Sequence, residues 1–92
     1  MPAMTRSEGL ELRHFRYFVA LADELHFSRA ARRLGLTQPN LSQQIRGLEK
    51  HLGTPLFDRS TAYVALTAAG QAFLPDAARL VELADAPLEL SA

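Results

Sequence analysis

Amide and hydroxyl side chains crowd one short segment of the chain, and their chemistry suits the edges of DNA bases. Glutamine and asparagine can each make two hydrogen bonds to adenine, while arginine can make two to guanine. Serine and lysine suit phosphate oxygens, which fix the position of a protein on DNA without reading its sequence. The candidate groups are Gln38, Pro39, Asn40, Ser42, Gln43, Arg46 and Lys50.

These groups share one face of a helix predicted over residues 38–52. At about 100° per residue, Leu41 and Ile45 fall on one side, while Gln43 and Arg46 fall near the opposite pole. We expect the first side to be core. The second would face a major groove of DNA, because base-reading residues usually lie toward the N-terminal end of a recognition helix. The alternative is an ordinary solvated surface.

A short helix is predicted just before this segment, and a glycine separates the two. Ser28 is the expected N-cap of the short helix and Gly35 its end, while Thr37 caps the next helix and Gly53 ends it. Two short helices joined by a glycine-containing turn are the elements of a helix-turn-helix. The short helix carries three outward arginines, and the two that we place at the DNA are Arg29 and Arg33.

The remaining pattern predicts one helix before this pair, then a hairpin and a long helix after it. Apolar residues from Leu12 to Leu25 recur at steps of three and four, as on one helical face. Residues 56–59 and 63–66 are candidate strands of a hairpin, and Thr67 caps the last helix. The expected fold is mainly α: a winged helix-turn-helix with three helices, a short β-hairpin wing and a long C-terminal linker helix. We divide the chain into a flexible arm (1–10), a winged domain (11–67) and a linker helix (68–92).

An apolar stripe on the last helix exceeds what a small domain needs to cover. Its members are Phe73, Ala77, Leu80, Val81, Ala84 and Leu88. A projecting helix with such a stripe is expected to pair with a copy of itself in a two-fold interface. The alternative is that the helix folds back onto its own domain.

Composition narrows the possible functions. The formal net charge is zero, which alone argues against nucleic acid, but basic residues are in excess over residues 13–59 and acidic residues over residues 68–92. The chain has no cysteine and three scattered histidines, so we predict no metal site. No nucleophile–base pair or glycine-rich phosphate loop is evident. We therefore expect no catalytic residues and no cofactor in this segment. The absence of a signal peptide or apolar span predicts a cytoplasmic protein without a membrane partner.

Five segments of the chain, in this order and spacing, resemble the N-terminal domain of LysR-type transcriptional regulators. The resemblance covers about residues 11–90. The matching segments are LRHFRYFVA (12–20), FSRAA (27–31), TQPNLSQQI (37–45), a fourth over residues 48–59 with matches at Leu48, Glu49, Leu52, Gly53, Leu56, Phe57 and Arg59, and LTAAG (66–70).

The resemblance implies a bacterial, nucleoid-associated regulator that binds double-stranded DNA as a homodimer, or as a tetramer in a full-length parent. It implies a linker helix that pairs antiparallel between subunits. It also implies a small-molecule effector bound by a C-terminal domain, which this chain is expected to lack. By position, Ser28 and Thr37 match helix starts that contact phosphate. Arg59 matches the basic residue that enters the wing, and we count it among the DNA-binding residues.

Two positions depart from the family pattern, and both lower the number of cations. Gln43 stands where an arginine is common, which favours adenine over guanine at that position. The wing residues 60–65 lack the usual arginines, so we expect DNA affinity to depend only weakly on salt. Two rival hypotheses stay open: a winged-helix regulator of another family, such as the molybdate-responsive type, and a winged-helix protein-interaction or dimerisation module without DNA affinity.

Overall fold

Four helices and one two-stranded hairpin follow each other in the computed structural model, which describes residues 9–60 and 63–88. The elements are α1 (Leu12–Glu24), α2 (Phe27–Leu34), α3 (Gln38–Leu52), β1 (Phe57–Asp58), β2 (Ala65–Leu66) and α4 (Ala68–Asp85). This order confirms the predicted mainly helical, winged helix-turn-helix fold. Residues 1–8 of the predicted arm, 61–62 of the predicted wing loop and 89–92 of the predicted linker helix lie outside the described residues. The linker helix is shorter than predicted and ends at Asp85, because Pro87 disfavours the helical conformation at Ala86. Within the described ranges, no helix is long and apolar enough to cross a membrane.

The caps of α2 and α3 fix the turn between them. Thr37 Oγ1 accepts a hydrogen bond from the backbone N–H of Asn40 at 3.2 Å, so the predicted N-cap of α3 is confirmed. Gly35 and Gly53 end α2 and α3 in the left-handed conformation, with φ of 71° and 76°. The prediction for α2 was wrong, because its N-cap is His26 rather than Ser28.

The earlier start of α2 frees a hydroxyl. His26 Nδ1 accepts the backbone N–H of Arg29 at 3.1 Å, so that N–H needs no serine cap. Ser28 therefore lies one residue inside the helix. Its side chain can make a contact outside its own helix, and it does so with Gln38 of α3.

Side chains from every helix meet in one core. Phe18, Leu21, Leu41, Ile45, Leu48 and Leu56 are fully buried. Helix α4 packs along α1, and Phe18 contacts the rings of both Phe57 and Phe73, with centroids 5.4 and 5.0 Å apart. Such tilted ring pairs add to the free energy of burial. The recognition helix is therefore anchored on its inner side by Leu41, Ile45 and Leu48.

Two residues of the predicted dimerisation stripe belong to this core. Ala77 is 0 % exposed, and Phe73 packs between Phe15 and Phe18 of its own chain. Placing Ala77 in a contact with a second subunit was therefore wrong, while Phe73, which is half-buried, already has aromatic partners in its own chain. The first half of α4 covers its own domain, as the alternative hypothesis held. Within α4, the large exposed apolar side chains, Leu80 and Leu83, lie in the second half.

The start of α4 is fastened to the chain just before β1. Thr67 donates its backbone N–H to Leu56 O at 3.0 Å and its hydroxyl to Pro55 O at 2.7 Å. The same hydroxyl oxygen accepts the N–H of Gly70 at 3.0 Å, which confirms Thr67 as the N-cap. A methyl group at Gly70 would overlap Leu56 O. This position requires glycine because the helix backbone lies directly against another backbone.

Candidate nucleic-acid interface

The outer face of α3 is a polar strip with no accessible acid. Its residues Gln38, Pro39, Asn40, Gln43, Arg46 and Lys50 are exposed, and Ser42 is half-buried. The helix contains one acid, Glu49, and that side chain is turned into the protein with the residue only 8 % exposed. A polyanion approaching this face therefore meets hydrogen-bond donors and cations without a competing carboxylate. The helical-wheel separation of core and outer face is confirmed by the burial of Leu41 and Ile45.

A side-chain hydrogen bond joins the two helices of the helix-turn-helix at their starts. Ser28 Oγ donates to Gln38 Oε1 at 2.8 Å. This contact uses one of the two lone pairs of the amide oxygen, and both N–H groups of Nε2 are without an acceptor among the described residues. Because Thr37 also fixes the first turn of α3, Gln38 has a defined position and a defined orientation. The Ser28 hydroxyl is thus already hydrogen-bonded to Gln38, although this contact is exposed to solvent.

The cations near α3 differ in whether they already form an ion pair with an acidic side chain. On α2, Arg29 lies 3.5 Å from Glu24 Oε1, and Arg33 lies 3.1 Å from Asp23 Oδ2 and 3.3 Å from Glu24 Oε2. These pairs are open to solvent, where an ion pair contributes about 0–1 kcal/mol. A phosphate could therefore compete for Arg29 or Arg33 at little cost.

Three cations have no ion-pair or hydrogen-bond partner in the described part of the chain. They are Arg32, Arg46 and Lys50. Arg46 and Lys50 belong to the predicted set, but Arg32 was left out of it. Sequence reasoning had no means of ranking the three arginines of α2, because the ranking depends on acids at the end of α1. The structure makes Arg32 the freest cation on that helix.

Arg59 is held inside the protein, unlike the cations of α2. Its Nη2 lies 3.1 Å from Glu49 Oε1, and its guanidinium stacks over the ring of Phe27 at 5.4 Å from the centroid. The Arg59 side chain is 28 % exposed. Glu49 Oε2 also accepts the backbone N–H groups of Leu56 and Phe57 at 2.7 and 3.1 Å. Glu49 was missed at the sequence level, although an acid in the last turn of a helix faces the negative end of the helix dipole and so calls for a compensating partner.

The hairpin is shorter than predicted and carries an acid. The predicted strands 56–59 and 63–66 reduce to one antiparallel pairing, Phe57 with Leu66 and Asp58 with Ala65. Asp58 Oδ1 accepts the hydroxyl of Ser60 at 2.6 Å and its backbone N–H at 2.9 Å. These two hydrogen bonds lower the pKa of Asp58. The described part of the hairpin therefore offers a phosphate little positive charge.

The second half of α4 presents leucines to solvent. Leu80 is 44 % exposed and Leu83 72 %, and Ala84 is exposed beside them. Leu88 is 84 % exposed but lies beyond the end of α4 at Asp85, so placing it on the helical stripe was wrong. Val81 is half-buried and lies with Val19 and Leu34 around a shallow pocket between α4 and the first two helices. Of the predicted stripe, Leu80, Ala84 and Leu88 are thus free to meet a partner. Leu83 joins them, although it was not in the stripe.

A bidentate salt bridge links the end of α4 to α1. Arg16 Nη1 and Nη2 donate to the two carboxylate oxygens of Asp85 at 2.9 and 2.6 Å. The hydrogen bonds to Arg16 lower the pKa of Asp85, and those to Asp85 raise the pKa of Arg16. Both side chains are open to solvent, so the pair adds only a small contribution to the packing of α4 along α1.

Comparison with known proteins agrees with this geometry. Residues 12–71 match the bacterial regulatory helix-turn-helix proteins of the lysR family. The chain is 59 % identical over 80 residues to the transcriptional regulator BudR of Klebsiella aerogenes, covering 87 % of this chain and 56 % of that protein. It is 54 % identical over 80 residues to BudR of Raoultella terrigena, covering 87 % of this chain and 28 % of that protein. The chain therefore spans between about a quarter and somewhat over half of these relatives.

Two solved structures of similar fold are complexes with DNA. The DNA-binding domain of BenM bound to catB site 1 DNA matches with a TM-score of 0.79 and 43 % identity, over 83 % of this chain and 85 % of that one. The DNA-binding domain of CbnR bound to DNA matches with a TM-score of 0.76 and 45 % identity, over 82 % and 86 %. The chain belongs to the LysR family of bacterial transcriptional regulators, and it carries their winged helix-turn-helix DNA-binding domain.

Proposed function

We propose that this chain recognises a specific operator as a dimer, with α3 of each subunit in a major groove of DNA. The observation that carries the proposal is the outer face of α3, where exposed amides and two unpaired cations stand without an accessible acid. Similar DNA-binding domains of BenM and CbnR have been solved bound to DNA, which supports the same use here. Such a regulator would be localised in the bacterial cytoplasm.

The first base contact would come from Gln38. Because its Oε1 accepts the Ser28 hydroxyl, the amide would face the groove with the two donors of Nε2. Guanine O6 and N7, and thymine O4, are acceptors on the major-groove edge, whereas a two-bond contact to adenine needs the Gln oxygen as well. We therefore expect Gln38 to favour guanine or thymine. Asn40, Ser42 and Gln43 would add contacts along the strip.

Phosphate contacts would come mainly from Arg32, Arg46 and Lys50, the cations without an acid partner among the described residues. Each neutralised phosphate changes the slope of log affinity against log salt by about 0.9. Three such contacts in each subunit make six in the dimer and give a slope of about −5, which lies at the shallow end for a DNA-binding protein. Arg29 and Arg33 would steepen it only if they leave their pairs with Glu24 and Asp23.

Dimerisation would use the exposed half of α4. Leu80, Leu83 and Ala84 lie three and four positions apart, so they share one helical face. A second copy offering the same face would cover these side chains in a two-fold interface. Two recognition helices related in this way would meet half-sites about 34 Å apart on an inverted repeat. Control by a small molecule would belong to an effector domain of a full-length parent.

The test is selection of bound duplexes from a random pool, followed by affinity measurement at physiological salt. We expect the selected duplex to contain an inverted repeat and to bind at least 10³-fold more tightly than a scrambled duplex. Equal affinity for the two duplexes would refute operator recognition. No binding to either duplex would favour the rival protein-interaction module, for which the zero net charge and the arginine-poor hairpin are the supporting observations.

A further inference from the structure

The buried carboxylate of Glu49 is a charged group that the proposed DNA contacts do not use. It lies in the last turn of α3, where the helix dipole disfavours an acid, and it is almost closed to water. Three partners compensate for this: the N–H groups of Leu56 and Phe57 on Oε2, and Arg59 on Oε1. The carboxylate therefore fastens the recognition helix directly to the backbone that enters the hairpin.

Arg59 is arranged as a bridge and not as an open phosphate ligand. Its Nε and Nη2 are closed to solvent and have no acceptor with hydrogen-bond geometry within the described residues. The 3.1 Å contact of Nη2 with Glu49 is an attraction of opposite charges without hydrogen-bond alignment. A bidentate contact of a guanidinium with phosphate uses two of its three nitrogens. Any two nitrogens of Arg59 include Nε or Nη2, which are closed to solvent.

We infer that Glu49 and Arg59 are positioning residues that hold the wing against α2 and α3, and that Arg59 supports DNA binding without touching phosphate. The guanidinium links three parts of the domain. Arg59 itself follows β1, and its side chain contacts Glu49 of α3 and Phe27 at the start of α2. This inference rests on the proposed DNA binding and corrects the role that the family resemblance implied for Arg59.

The salt dependence of DNA affinity separates a positioning residue from a phosphate ligand. Affinity for the selected duplex is measured between 50 and 200 mM salt for the wild-type chain and for Arg59→Gln, Glu49→Gln, Arg46→Gln and Lys50→Gln. Loss of one phosphate contact from each subunit of the dimer makes the slope shallower by about 1.8. We expect that change for Arg46→Gln and Lys50→Gln. Arg59→Gln and Glu49→Gln should lower affinity by the same factor at every salt concentration, which leaves their slopes parallel to the wild-type slope.

A double variant tests whether Arg59 acts through Glu49. If it does, Glu49→Gln combined with Arg59→Gln should lose about as much affinity as the more damaging single variant. Arg79→Gln is the matched control, because it removes an exposed arginine that is also paired with an acid, Asp76. A slope for Arg59→Gln that is shallower by about 1.8 would overturn the inference. Unchanged affinity, or losses that add in the double variant, would also overturn it.

A measurement without DNA tests the positioning role if a variant folds poorly or if the proposed function fails. Hydrogen exchange of the Leu56 and Phe57 amides should be slow in the wild-type chain and faster in Glu49→Gln, while the amide of Gly53, which bonds to a backbone carbonyl, stays slow. Fast exchange of Leu56 and Phe57 in the wild-type chain would overturn the inference. A wild-type chain that shows no salt-dependent binding to any duplex would instead refute the proposed function.

Discussion

Substitution of Gly70 by alanine should destabilise the domain, because the start of α4 lies directly against the backbone before β1. A Cβ at this position would overlap Leu56 O and would stand 2.9 Å from Leu66 Cδ2. A backbone oxygen cannot rotate away as a flexible side chain can, so the helix must shift. Overpacking of this kind costs about 1–3 kcal/mol. The shift also strains the 3.0 Å hydrogen bond from Thr67 N to Leu56 O, which is worth about 1 kcal/mol.

The gain in helix propensity offsets part of this cost. Glycine to alanine is worth up to about 1 kcal/mol in a helix interior, and Gly70 lies in the first turn, where the gain is smaller. We expect a net loss of about 2 kcal/mol, which lowers the melting temperature of a domain of this size by about 8–16 °C. Thermal unfolding followed by circular dichroism at one fixed protein concentration measures it.

Gly47 provides the matched control, because it lies inside α3 and a methyl group added there would have no neighbouring atom within 4 Å. Gly47→Ala should stabilise the domain by about 0.5–1 kcal/mol. A Gly70→Ala chain that melts at or above the wild-type temperature would refute the close-approach argument.

Three further predictions concern base preference, assembly and charge. Ser28→Ala should free the Oε1 of Gln38 and shift the preferred base at that position toward adenine, and an unchanged base profile after selection would contradict the orienting role of the serine. Leu83→Asp should dissociate the dimer, as measured by light scattering, and an intact dimer would place the interface elsewhere. Arg16→Gln should raise the pKa of Asp85 toward its ordinary value, as followed by NMR titration of the carboxyl carbon. Because the folded-state pKa of Asp85 is lowered, its pair with Arg16 stabilises the fold above the ordinary carboxyl pKa, and that contribution disappears as the pH falls through the lowered value. A pKa unchanged by the substitution would show that Arg16 is not the cause.

Local signals in the sequence predicted most of the fold. Gly35 and Gly53 mark helix ends because only glycine adopts the left-handed conformation at low cost, and Thr37 and Thr67 mark starts because their hydroxyls accept free N–H groups. Ser28 carried the same local signal, but His26 two residues earlier already accepted the N–H of Arg29. Neighbouring residues can compete to be the N-cap of one helix, and their order along the chain does not show which of them accepts the free N–H.

Long-range contacts account for what the sequence did not reveal. The apolar stripe of α4 mixes two roles, since Phe73 and Ala77 face the core while Leu80 faces solvent. Periodicity alone gives one stripe for both, because it does not say where a helix leaves its own domain. Glu49 was overlooked for a similar reason: its partners at Leu56 and Phe57 are backbone groups, which carry no residue-type signal.

The central claim is that the outer face of α3 reads bases, with Gln38 as its first reading group. The most direct test compares the base profile selected from a random pool by the wild-type chain with that selected by Gln38→Ala. We predict that the variant loses preference at one position in each half-site, which costs about 1–3 kcal/mol there, and keeps its preferences elsewhere. An unchanged profile, or a uniform loss of affinity for all sequences, would contradict the claim.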